Sequence, residues 1–197
     1  MTYYRDFSRY TYSDSIIPDL NVGWLGRWRG FETGGAGLEF MEVLALQAAM
    51  PRNLTRGSHP CYFCSKLRLR GVMVSAREFR AEYPLGNGEI HAISRSGEVF
   101  SAPNMIYHYV DRHGYSPPKE FIRAVLDGRD GKVPDSVIRR FRELVERAPR
   151  IEDRVDAAID LIQVASSSSV NWLGDLIEIP SCHPYFKERV TRALQLL

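Results

Sequence analysis

Cysteine is scarce, with only three residues in 197, and two of those fall three positions apart at Cys61 and Cys64. Three cysteines cannot build the disulfide framework of a small secreted domain, so a reducing compartment, the cytoplasm, is expected. Long apolar runs are missing as well, and none nears the roughly 20 residues that cross a bilayer. The opening Met1-Thr2-Tyr3-Tyr4-Arg5-Asp6 lacks the apolar core of a secretory signal. Charge of one sign is also lacking, since 26 Lys and Arg against 24 Asp and Glu leave only +2. That balance does not favour a nucleic-acid partner for the molecule as a whole. No G-x-S-x-G elbow, P-loop, dinucleotide fingerprint or H-E-x-x-H occurs, which removes the common signatures of hydrolases, NTPases, dehydrogenases and zinc proteases. Nor does any internal period indicate a repeat array.

What is present centres on His59-Pro60-Cys61-Tyr62-Phe63-Cys64 and, some forty residues later, His108-Tyr109-Val110-Asp111-Arg112-His113. A C-x2-C pair and an H-x4-H pair supply two thiolates and two imidazoles, the ligand set that zinc takes tetrahedrally. The predicted metal ligands are Cys61, Cys64, His108 and His113, with zinc in a structural role. The fourth ligand is ambiguous. Positions five apart on an ideal helix point about 140° away from each other, so His108 and His113 converge only where the helix tightens or ends. Gly114 offers such an ending, while His59 competes for the place. A dithiol redox centre is the weaker alternative, because no crossover helix follows the pair.

The elements around this pair follow from periodicity and punctuation. Leu38, Met41, Leu44, Leu46 and Ala48 predict a helix over 37–50 that Pro51 stops. Residues 52–80 hold seven Lys and Arg against Glu78, and Leu67-Arg68-Leu69-Arg70 alternates as a half-exposed strand would. After the turn at Gly86-Asn87-Gly88, Glu89–Ile93 and Glu98–Ala102 flank Ser94-Arg95-Ser96-Gly97 as a hairpin. Pro103 opens a helix, and Gly114 ends it. Trp24, Trp28 and Phe31 are expected to cover a core edge. The stretch Asp127-Gly128-Arg129-Asp130-Gly131 reads as a linker, and everything beyond it is helical, with a loop at Ser166–Ser169. The expected fold is therefore α+β: a zinc-stapled knuckle, β-hairpin and helix of treble-clef type in residues 1–127, then a small all-helical domain in 132–197.

Two functions fit these features. A closed four-ligand site staples a fold and leaves no position for substrate, which implies a non-enzymatic module whose helical tail binds a protein partner. An immunity protein that neutralises a toxin is the form of that reading which the architecture prompts. The alternative is a metal-dependent nuclease of the HNH type, in which His91 activates water, Asn104 fixes the loop and a helix histidine helps to bind the metal. Ile90 stands where such nucleases place a second polar ligand.

Several strings also resemble a bacterial family known only as a domain of unknown function. They are Leu20–Leu25, Arg56–Cys64, Gly86–Ile90, Ala102–Val110 and Gly114–Phe121, spanning about residues 3–126. The resemblance implies a bacterial soluble protein in which the H-x-C-x-x-C and I-Y-H-Y-V strings travel together, as one metal site would require. It implies no activity.

Overall fold

The computed structural model describes residues 2–64, 73–76, 81–164 and 167–196. Twelve elements lie among them, in a mixed α+β arrangement. Strand β1 (Leu20–Asn21) precedes helix α1 (Leu38–Ala49), which ends two residues before Pro51. Strands β2 (Met73–Ala76) and β3 (Ala81–Pro84) pair antiparallel. The predicted strand over Leu67–Arg70 lies outside the described residues. Strands β4 (Glu89–Ile93) and β5 (Val99–Pro103) form the predicted hairpin, in register from Glu89 opposite Pro103 to Ile93 opposite Val99. β1 adds to β5 in parallel, giving a three-stranded sheet in the order β1-β5-β4.

Every residue of β4 and β5 is buried. The alternation of polar and apolar residues in Glu89–Ile93 is thus not an inside–outside pattern. Helices α1 and α3 (Lys119–Arg129) pack on β4, and the N-terminal segment closes over β5 through Phe7 and Trp24. Both sheet faces are covered, so the polar residues on the strands must find partners inside the protein. Trp24 is buried as expected, whereas Trp28 is 85% exposed in a turn.

Helix α2 (Ile106–His113) begins three residues after Pro103, which itself still belongs to β5. It ends at Gly114, whose φ of 65° is the left-handed conformation glycine adopts without steric cost. The Gly114 N–H donates to the Tyr109 carbonyl, and the Tyr115 N–H donates to the same oxygen at 3.0 Å, which closes the end of the helix. Tyr115 is buried, and Phe31 packs on its ring. The end of α2 is therefore fixed rather than frayed.

Helix α3 runs through Asp127 and Gly128 to Arg129, so the predicted linker starts inside a helix. Asp127 is buried and takes a bidentate contact from Arg95, which ties that turn of α3 to the hairpin. The actual break is the turn at Asp130-Gly131 (Gly131 φ 65°). Then come α4 (Asp135–Arg147), α5 (Ile151–Val164), α6 (Ser167–Glu178) and α7 (Pro184–Leu194). The predicted loop at Ser166–Ser169 is α6 from Ser167 onward. Pro184 and the His183 cap, whose Nδ1 accepts the Tyr185 N–H at 3.2 Å, start α7. α5 is buried along most of its length and is surrounded by α3, α4, α6 and α7. Buried apolar residues from Ile17 to Leu196 form one cluster that includes both the sheet and the helical tail.

Candidate metal centre

The knuckle brings Cys61 to the core edge, 3% exposed, with Cys64 one turn further out. Phe63 between them packs edge-on against Phe31 and Tyr109 and lies beside the His113 ring, which anchors the loop to α2. α2 delivers His108 from its first turn and His113 from its last residue. Their Nε2 atoms lie 3.2 Å apart. Cys61 Sγ is 3.3 Å from His113 Nε2, and Cys64 Sγ is 3.2 Å from His108 Nε2 and 3.5 Å from His113 Nε2. The long imidazoles thus span the five-residue offset across the finished end of the helix. All four donor atoms lie within 4.8 Å of one another, close enough to hold one metal ion.

The donor set fits an ion both geometrically and chemically. Metal–sulfur bonds of about 2.3 Å and metal–nitrogen bonds of about 2.0 Å give tetrahedron edges of about 3.5 Å (S···N) and 3.3 Å (N···N). The observed separations match those edges to within a few tenths of an ångström. Burial, with His113 nearby, pushes His108 down to about 4, and burial also lowers His113. Both imidazoles are therefore neutral at pH 7, as ligation requires. Burial raises the Cys61 thiol, so an arriving cation must displace its proton. His59 is exposed, and its backbone N–H donates to Gly86 O at 2.7 Å; it does not belong to the group.

With this geometry in view, a family model described as Domain of unknown function (DUF7919) matches residues 2–126. The chain belongs to this family. No curated protein and no solved structure matches it. The DUF7919 region contains all four of the clustered cysteines and histidines, the three-stranded sheet and most of α3, and it ends before the helical tail. No helix among the described residues is long and apolar enough to cross a membrane.

His91 and Asn104, singled out with a helix histidine for nuclease chemistry, lie elsewhere within the DUF7919 region. His91 is 2% exposed, and its Nδ1 is 2.8 Å from Asp160 Oδ2. A general base needs a water or substrate proton within reach, and this burial provides no route to one. Asn104 is fully buried and fixes a loop: its Oδ1 accepts the Gly86 N–H at 2.7 Å, and its Nδ2 donates to Asn87 Oδ1 at 3.0 Å.

Sequence reasoning missed a second buried polar cluster, where the DUF7919 region meets the tail. Arg52, counted in the basic stretch, is fully buried. Its guanidinium donates to Asp160 Oδ1 (Nε 2.8 Å, Nη2 2.7 Å), to the Met50 carbonyl at 2.9 Å and to Gln163 Oε1. Burial works against a charged His91, but the Asp160 carboxylate outweighs it and raises the imidazole above its ordinary value. Burial likewise works against ionised Asp160, yet His91 and Arg52 hold it below the usual carboxylate range. Asp156, one turn earlier on α5, accepts the Asn53 N–H at 2.9 Å, and burial pushes it up to about 7. Beside them Glu89 accepts hydrogen bonds from Tyr10 at 2.9 Å and from Ser101. A signal did exist: Asp156 and Asp160, four apart, interrupt the otherwise apolar run Val155–Ile162, a pattern that calls for buried partners.

Proposed function

We propose that the protein is a non-enzymatic, zinc-stapled protein-binding module. The observation that carries this reading is the convergence of Cys61, Cys64, His108 and His113 into a closed S2N2 set. Two thiolates and two imidazoles are the usual ligands of structural zinc, and four protein donors leave no coordination position for water or substrate. The order of knuckle, β4–β5 hairpin and α2 supports a treble-clef-type arrangement around the ion. In this reading residues 132–197 form a helical unit that presents the partner surface. A toxin neutralised in the bacterial cytoplasm, as by an immunity protein, is the partner to test first.

Elemental analysis of the purified protein gives the direct test, with one zinc per chain expected. Incubation with duplex DNA in magnesium should give no cleavage, whereas cleavage abolished by His91→Ala would restore the nuclease reading. Isothermal titration against the product of the neighbouring gene should show binding by the zinc-loaded protein.

A further inference from the structure

A cavity of about 560 Å³ opens between the hairpin turn, the N-terminal segment and α3, on residues that neither the metal centre nor the buried ionic cluster uses. Its volume falls within the range of small-molecule sites. Leu20, Phe100 and Ala124 line it, and Phe7 stands at its mouth. Phe7 has two unusual properties. Its φ is 63°, a genuine outlier for a bulky side chain, and the ring is 41% exposed. Phe7 N–H donates to Asn21 O at 2.7 Å, Asn21 N–H returns a bond to Ser8 O at 2.8 Å, and the buried Asn21 side chain donates to Arg9 O at 2.9 Å. The chain thus maintains a strained backbone to hold an exposed ring over the cavity, edge-on to Phe100 at 5.8 Å. Such strain recurs at ligand clamps.

The polar wall is equally specific. Glu120 and Arg123 line the cavity one turn apart on α3, a spacing at which side chains can pair. Yet neither makes a salt bridge or side-chain hydrogen bond among the described residues. Asp127, the carboxylate next along this face from Arg123, is taken by Arg95 through two 2.7 Å bonds. A carboxylate and a guanidinium therefore stand one turn apart on the exposed rim of an open cleft whose apolar surface comes from Phe7, Leu20, Phe100 and Ala124.

We infer that this cavity binds a free α-amino acid with an aromatic side chain. Arg123 would take the carboxylate, Glu120 the ammonium, and Phe7 and Phe100 the ring. The two charged groups of such a ligand are adjacent, as are Glu120 and Arg123, and its ring fits the apolar surface of Phe7, Leu20 and Phe100 beside them. Binding here is independent of the zinc reading.

L-Phenylalanine is the probe, titrated into the zinc-loaded full chain and followed by saturation-transfer NMR. Binding is expected at about 1 mM or tighter, with phenylacetate and phenethylamine each at least about tenfold weaker because each lacks one charged group. Arg123→Gln and Glu120→Gln change exposed helix positions and should weaken binding by a similar factor. Phe7→Gly suits the left-handed φ, so it should keep or raise the melting temperature while binding is lost. The proposal is overturned if L-phenylalanine does not bind at several millimolar, if both single-charge analogues bind equally well, or if these variants bind like the parent.

Discussion

The metal centre and the ionic cluster around Asp160 solve the same problem in opposite ways. Each gathers polar side chains out of water, where an unpaired group costs several kcal/mol. In the first, two cysteines and two imidazoles converge on a point where one cation could be held. In the second, fixed charges of both signs neutralise one another, Arg52 and His91 against a single carboxylate. The difference teaches where each region's stability comes from. On the proposed reading the knuckle depends on a bound ion, while the cluster depends on the tail supplying α5. Removing metal should therefore loosen one region, and removing a charge on α5 should detach the other.

The largest effect is expected from stripping the metal. Structural zinc contributes on the order of 10 kcal/mol in small finger peptides, more than a lone knuckle can lose. Chelation, or Cys61→Ser, should abolish hydrogen-exchange protection around residues 58–64 and 106–113 while α5 keeps much of its own. Uniform loss across the whole chain would mean that the two regions are a single cooperative unit. Next is Asp160→Ala, which leaves Arg52 and His91 buried without their anion. A cost of about 3–5 kcal/mol in urea unfolding is expected. The double variant Arg52→Met, Asp160→Leu should cost less than the single one, because no uncompensated arginine remains. A larger loss in the double variant would show that packing, not charge, dominates there.

How much of each region could be read in advance follows from the same contrast. Cys61 and Cys64 are three apart, His108 and His113 five apart, and these donor types in such short spacing have few other uses. The metal group was therefore legible before any fold, as were the β4–β5 hairpin from Ser94–Gly97 and the helix ended by Pro51. Even the doubtful His113 could be placed once Gly114 fixed the end of α2. The ionic cluster has no such local grammar. Arg52 and Asp160 are 108 positions apart, and a lone arginine in a basic stretch looks solvated until a helix carrying acids packs over it. Asp127 misled for a related reason. An Asp-Gly pair resembles a turn, but pairing with Arg95 on the hairpin keeps it inside a helix. Tertiary partners overrode local propensity at both places.

A pH titration sharpens the comparison further and should give a smaller effect. His91 is raised in the folded protein, so its contribution is fully present below the unfolded value near 6.5 and lost as pH rises through the folded one. Asp156, raised to about 7 by burial, acts in the same direction: folding favours its protonated form, and that advantage fades as pH climbs from about 4 to above 7. Asp160 is lowered, so its contribution is present above the ordinary carboxylate value and is lost only in acid. Between pH 6 and 8 the zinc-loaded protein should thus lose about 1–2 kcal/mol of stability. Asp156→Asn, which keeps an acceptor for Asn53, should flatten that slope. An unchanged slope would place the titration elsewhere in the molecule.

The smallest expected effect comes from Gly114→Ala, and it tests whether the end of α2 belongs to the metal centre. An added Cβ would meet nothing within 4 Å, so packing does not oppose the change. The cost is conformational: a φ of 65° is left-handed, which disfavours alanine by about 1 kcal/mol. Because His113 is the last helical residue before that position, any relaxation of the turn rotates its imidazole away from Cys61 and Cys64. The expected outcome is a melting temperature only slightly lowered, together with zinc released to a chromophoric chelator at least about threefold more readily. The His91 imidazole resonance, which reports on the Asp160 cluster, should stay in place. If zinc affinity holds while that resonance moves, the left-handed turn at Gly114 serves the core through Tyr115 and does not serve the ion.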